Sequence, residues 1–481
     1  MLKIFYSVEN LINDTLLGPI WRWVMWNRTS ILKPAIIAGV LLLIGLLSFA
    51  IPEPKMFLVL PGLLVALGGV YLLWRYPPLG LIGVVLSGLV PFNWISGLNA
   101  TPILVAGLIG LWILRMLLEK NLRLVPSETY RPLFALLIIA TMALAVGQIP
   151  WYTFAQPAPL GAQVGSLGLF FLSAGIFLVA AHQIQDIKWL EWLTWVFLAV
   201  VAIYMFGRIT PGLNRVLGRI YNITNTGSLF WVWGAGLSFS QAAFNKKLWW
   251  GWRVFLAILL VTTFYVGYGI QGDWKSGWLP AFTTVATIIA IKMGWRLLLA
   301  FAPLGALPAY FLGQKIIASD AYSYSTRVEA WSLITQITKI NPILGLGPAN
   351  YRWYTPLFPI RGYSVFYFSH NQFVDLFAQT GILGLSAFLW FFGAVGHLAW
   401  RLKERVPEGF AKAYVYASLG GVVGTLTAAM LGDWVIGFFY NVGFTGSRIT
   451  LLGWLFFGGL LAIDQMVKRA DTETEMRLPN S

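Results

Sequence analysis

Long apolar runs succeed one another along this chain, broken by short polar turns. Runs of about 17–25 residues are long enough to cross the hydrocarbon core of a bilayer as helices. The pattern predicts fourteen spans, at 34–52, 56–74, 78–97, 101–118, 132–149, 164–182, 189–207, 228–244, 248–267, 278–293, 295–313, 374–398, 412–435 and 449–467. The fold class expected is therefore all-α: a polytopic integral membrane protein with 12–14 transmembrane helices. Ten-residue segments of alternating polarity, the mark of a membrane barrel, are absent from the sequence. No small-residue cleavage site follows the first apolar run, so no cleavable leader is expected.

The rhythm breaks twice. Residues 1–33 carry Trp21, Arg22, Trp23, Trp26 and Arg28 around apolar positions, which predicts an amphipathic segment on the inner membrane surface. Residues 314–373 form a long polar insertion between the N-terminal spans (34–313) and the C-terminal spans (374–468), expected to be an external loop containing short helices. A polar tail, 469–481, closes the chain.

Composition sharpens this picture. The chain is 58% hydrophobic and 11% charged, where soluble domains are nearer a quarter charged. It has no cysteine, which excludes disulfides and thiolate metal sites. The net charge of +15 is explained by Lys and Arg gathered in cytoplasmic loops rather than by a nucleic-acid surface. With the N-terminus inside, most of the 33 basic residues face inward, so N-in and C-in is the expected topology. The exceptions are informative. Arg208, Arg215, Arg219, Lys275, Lys315, Arg327, Lys339, Arg352 and Arg361 fall in three outward loops. They suggest an anionic partner on that face, against the plainer alternative of loop charge in contact with lipid headgroups.

Of three histidines, His182 and His397 fall at inner ends of spans, and His370 alone is external. Histidine is the usual side chain for proton transfer near neutral pH. Arg327 precedes a helix predicted over Val328–Ile340, with Thr326 and Glu329 fitting a capping box. Asn341-Pro342 stops that helix, and Gly345 and Gly347 mark a tight turn. Asp375 and Gln379 follow Asn371 at helical spacing. Asp375 either orients His370 or is an acid favoured at a helix start. Arg215 and Arg219, four apart and followed by Asn222 and Asn225, would share one side of a helix and could hold an anion. No external His/Asp/Glu cluster has metal-ligand spacing, so no metal or cofactor is expected.

Four of these pieces, in this order, resemble the core of the O-antigen ligase/polymerase superfamily of lipid-linked glycosyltransferases. They are Arg327 with Trp331, the turn Asn341-Pro342-Ile343-Leu344-Gly345-Leu346-Gly347, the pair His370-Asn371, and Gly381-Ile382-Leu383-Gly384-Leu385. The match covers about sixty residues; elsewhere it is one of hydropathy. An earlier family motif, R-x-x-G followed by Pro-Asn, is met by Arg215-Val216-Leu217-Gly218 and a later Asn, without the proline. The resemblance implies metal-independent, inverting glycan transfer at the outer face of a bacterial cytoplasmic membrane. The donor would be a glycan on a polyprenyl diphosphate, and the acceptor a sugar hydroxyl on a lipid core or another glycan. His370 and Arg327 would be catalytic. Arg215, Arg219, Asn371, Arg352 and Arg361 would bind substrate. The residues independently suit that chemistry: without a metal, arginines must hold a diphosphate leaving group, and a histidine can take the acceptor's proton. The alternatives are a polymerase of the same superfamily, a flippase for lipid-linked glycans, or a membrane scaffold. A flippase would carry ionisable groups near the bilayer midplane, whereas this chain keeps most of its charge in loops.

Overall fold

A computed structural model describes residues 67–91, 93, 97–221, 225–294 and 321–477, with side chains through Glu473. The chain divides into two units, 1–75 and 76–481. Of the first, residues 67–75 are described and are helical. The expected spans 34–52 and 295–313, most of 56–74 and the segment 1–33 lie outside the described residues.

Among the described residues the second unit is helical, with no strand beyond two isolated bridges. Its helices are α1 (Pro77–Ser87), α2 (Ala100–Leu118), α3 (Tyr130–Val146), α4 (Leu160–Gln183), α5 (Ile187–Ile209), the single turn α6 (Leu213–Leu217), α7 (Ser228–Phe244), α8 (Trp250–Tyr265, continued by a π turn to Ile270) and α9 (Lys275–Met293). Then come α10 (Ala321–Thr338), the short α11 (Tyr351–Tyr354), α12 (Gln372–Arg405), α13 (Phe410–Leu431) and α14 (Ser447–Arg477). Eight helices among the described residues are long and apolar enough to cross a membrane: α2, α4, α5, α8, α9, α12, α13 and α14. The expected spans 78–97, 132–149 and 228–244 coincide with the shorter α1, α3 and α7. α1 stops at Ser87, well short of residue 97. Gly88 caps it, Pro91 cannot continue a helical ladder, and the Asn225 amide takes the Gly88 carbonyl at 3.1 Å.

Helix direction alternates, so the connections segregate to two ends. At one end the Glu128 carboxylate meets Arg401 (3.2 Å), Lys246 meets Glu408 (3.7 Å), and the Val125 N–H donates to His182 (3.1 Å). At the other, Asn99 reaches the Phe444 carbonyl (2.7 Å) and Ser228 donates to the Ser276 carbonyl. His370 belongs to this second end. There the polar insertion is a folded layer. Ala330, Ile334 and Ile337 of α10 are buried with Leu346, Tyr351, Tyr354, Ile360 and Tyr367, against Ala378 of α12 and Phe438.

α10 differs from the expected Val328–Ile340. It already runs at Ala321, which puts Thr326 and Glu329 inside the helix rather than at its cap. Thr326 Oγ1 donates to the Tyr322 carbonyl (2.8 Å), as mid-helix threonines do. Glu329 pairs instead with Arg361, at 3.0 Å from its Nε, and accepts its backbone N–H, also at 3.0 Å. The Thr-x-x-Glu pattern was a local coincidence, and the true partner lies 32 residues away.

Beyond its side-chain packing, the insertion is clasped to the bundle backbone to backbone. α12 is broken at Gly381 (φ 65°, ψ −168°), and the 341–347 turn fits into the break. Leu346 N–H donates to the Ala378 carbonyl (2.8 Å) and Gly347 N–H to Gln379 (3.1 Å). In return, Ile382 N–H donates to Pro342 (2.8 Å) and Leu383 N–H to Ile343 (3.3 Å). The orphan groups of the helix break are thus satisfied by the turn. Gly345 (φ 71°) and Gly381 approach so closely that a Cβ on Gly345 would lie 2.6 Å from the Gly381 nitrogen, and one on Gly381 2.0 Å from the Ile343 oxygen. Gly381→Ala should therefore destabilise the protein by more than about 2 kcal/mol, combining left-handed strain with a backbone clash. Gly110→Ala, mid-helix in open space, should be neutral or stabilising by up to about 1 kcal/mol. Thermal melting of both variants in detergent checks the contrast.

Candidate active site

His370 sits in a tight turn immediately before α12. Asn371 is the N-cap of that helix, its Oδ1 accepting from the N–H of Phe373 (2.9 Å) and Val374 (3.4 Å). Ser369 is buried, and its hydroxyl bonds Asp375 Oδ1 at 2.7 Å. The Tyr351 hydroxyl donates to the same oxygen at 2.5 Å, and the Trp331 indole N–H donates to the Ser369 carbonyl at 2.7 Å. Between these fixed neighbours His370 adopts φ +51°. That left-handed conformation is uncommon for a non-glycine residue and persists only where its surroundings impose it. Asp375 therefore holds the turn rather than touching the imidazole.

The imidazole faces a cavity of about 370 Å³ lined by Arg327, Asp433, Asn441, Trp274 and Trp434 among others. Its ring packs edge-on to Phe368, centroids 4.7 Å apart. Nδ1 lies 3.4 Å from Asn441 Nδ2, too long a contact to fix which ring nitrogen carries the proton. Asn441 is itself anchored by donating to Asp433 Oδ1 (2.5 Å), while Asp433 Oδ2 accepts from the N–H of Phe438 (2.7 Å) and Val442 (3.2 Å). Asp433 thus organises the loop between α13 and α14. Burial holds its carboxyl above the ordinary carboxylate range, against the pull of those donors. Arg327, half-buried on α10, makes no hydrogen bond or ion pair among the described residues. Burial, and then the nearby Arg327 charge, push the His370 pKa down from 6.5 to about 4. The cavity therefore presents an uncharged imidazole beside an unmatched guanidinium.

The other expected site residues are placed differently. α6 covers Arg215 and gives way to a turn before Arg219. Both side chains are exposed, and neither lines the His370 cavity. Asn222 lies outside the described residues, and Asn225 binds the Gly88 and Ile220 carbonyls. Arg352 is sandwiched between the rings of Phe366 and Tyr440, 4.8 and 4.9 Å from their centroids. Arg361 is held by Glu329 and donates to the Ser325 hydroxyl. A second cavity, about 420 Å³, shares Trp274 with the first and contains Arg208, Asn214, Gln271 and Asp273. Arg208 Nε and Gln271 Oε1 are buried there without partners.

Asp433 and Asn441 were not anticipated. Asp433 was absorbed into the expected span 412–435, whereas α13 ends at Leu431. An acid beside Gly432 and Trp434 at the end of an apolar run was the signal available.

With only three histidines in the chain, selective isotope labelling gives a direct test by NMR in nanodiscs. His370 should titrate near 4, and Arg327→Gln should raise that value by removing a like charge. An unchanged titration would leave burial as the sole cause. Among known proteins, no family model matches the chain and no curated protein matches it in sequence.

Proposed function

We propose that this protein is a membrane glycosyltransferase of the O-antigen ligase type. It would move a glycan from a polyprenyl diphosphate to a sugar hydroxyl on the outer face of the bacterial cytoplasmic membrane. The observation that carries the reading is the pairing of a neutral His370 with an unpartnered Arg327 in one cavity at the end of an apolar bundle. A diphosphate leaving group needs a preorganised cation, and a guanidinium offers it a planar fork of N–H donors. A hydroxyl attacking the anomeric carbon needs a proton acceptor, and the uncharged imidazole can be one. The N-in/C-in arrangement and the 12–14 spans belong to this proposal, as does the role of the apolar helices in holding the prenyl chain. A polymerase of the same superfamily would share the donor chemistry. The accumulated product in a deletion strain separates the two: long chains left on carrier lipid indicate a ligase, single repeat units a polymerase.

An imidazole of pKa about 4 is a weak base, and efficient general bases lie nearer the working pH. Donor binding would move this pKa in the right direction, acting on the lesser of the two causes of its depression. The diphosphate would offset the Arg327 charge that depresses His370 and so raise its proton affinity when substrate is present. An unreactive short-chain prenyl diphosphate should therefore shift the His370 titration upward, and the shift should be much smaller in Arg327→Gln.

Transfer by purified protein tests the roles separately. His370→Ala should reduce turnover by about 10²–10⁴-fold, the usual contribution of a general base, with little change in donor affinity. Arg327→Lys should impair transfer although charge is kept, because lysine lacks the fork. Wild-type turnover in His370→Ala would remove the histidine from the chemistry.

A further inference from the structure

The end of the bundle opposite His370 carries a second built feature. From the break at Gly381 to His397 is 16 residues of α12, roughly 24 Å at 1.5 Å per residue. Here α3 and α12 pack side by side. Their ends, the segment 126–128 and Lys468 of α14 enclose an open cavity of about 750 Å³. Arg131, His397, Arg401 and Lys468 line it, with Glu128 as the one acid and Trp390 at its inner edge.

The charges there do not cancel. Glu128 meets Arg401 at 3.2 Å and lies 3.9 Å from His397 Nε2. Lys468 is matched by the buried Asp464 at 2.6 Å and also reaches the Pro126 carbonyl at 3.3 Å. Arg131 is exposed and has no ion pair or hydrogen bond among the described residues. Three permanent cations face two carboxylates, with a histidine in reserve, and the guanidiniums of Arg131 and Arg401 retain most of their donors. From this charged mouth the two helices continue as exposed apolar surface. On α3, Phe134 and Ile138 follow Arg131 at +3 and +7, on its side of the helix. On α12, Leu389 and Trp390 are exposed further along from His397.

We propose that this groove binds the phosphate headgroup of an anionic phospholipid. Arg131 and Arg401 would hold the phosphate, and an acyl chain would lie along Ile138 and Trp390. A basic pocket between membrane helices suits an acidic headgroup, and guanidiniums suit its phosphate oxygens. The apolar continuation distinguishes a lipid from a free anion, which would gain nothing from it. The site would anchor the α3–α12 pair, and it is independent of the reading of His370.

The test is lipid retention by the full-length protein in detergent, read by native mass spectrometry. Equal amounts of phosphatidylglycerol and phosphatidylcholine are offered, with a separate arm in inorganic phosphate. Phosphatidylglycerol should be retained preferentially, and Arg131→Gln and Arg401→Gln should each reduce that preference by roughly fivefold. Ile138→Gln should weaken lipid retention as well. Equal retention of the two lipids by the wild-type protein overturns the proposal, whether or not the variants fold. So does an undiminished preference in both arginine variants. Inorganic phosphate that displaces phosphatidylglycerol completely at millimolar concentration would make this a free-anion site and would also overturn it.

Discussion

The site depends on a backbone clasp. The 341–347 turn inserts into the break of α12 at Gly381, and four hydrogen bonds cross between them. A helix broken inside an apolar bundle would otherwise leave N–H and C=O groups unpartnered, at a cost of several kcal/mol each in hydrocarbon. The 341–347 turn would otherwise be joined to the bundle only by side chains, such as Asn350 to the Gly147 carbonyl (2.9 Å). Each cures the other's defect. Because the clasp is made by backbone, it needs side chains only to be absent, which is why glycine stands at 345 and 381. The short helical segment between Asn371 and the break then has a fixed direction, and His370 sits at its start.

Around that frame the polar groups divide into those that hold and those that stay free. Asp375, Ser369, Tyr351 and Trp331 are spent on one another and on the turn. Asp433 and Asn441 are spent on the facing loop. Arg352 and Arg361 are occupied by aromatic rings and by Glu329. Arg327 and His370 are left facing the cavity. A cation without an ion pair in a partly buried site is relieved by an anion, which is the electrostatic basis of the diphosphate proposed as ligand there, with the Asp433 carboxyl in the same lining.

Much of this was legible in the sequence, and the limits have physical reasons. Apolar run length reports helices directly, and each expected span within the described residues coincides with one. It reports helix ends poorly: Ser87 and Leu431 end helices inside runs that remain hydrophobic. The glycines at 345, 347 and 381 stood out as motifs, but no local pattern says that two of them touch. Glu329 looked like a cap because a capping box is a four-residue signal, while its ion pair with Arg361 is a tertiary one. Arg215 and Arg219 stood out by spacing, yet α6 is a single exposed turn. Asp433 was hidden because a hydropathy window averages one acid into its apolar neighbours.

The left-handed backbone at His370 has a consequence for how such a protein is evaluated. Holding an ordinary side chain at φ +51° costs on the order of 1 kcal/mol or more, and glycine or asparagine would relieve much of it. On the proposed mechanism, His370 therefore stands against the preference of the fold, and inactive variants bearing Gly or Asn there would be the better folders. Cellular abundance and thermal resistance would then rise as activity falls. A selection for expression alone would drift toward proteins that accumulate well and do nothing.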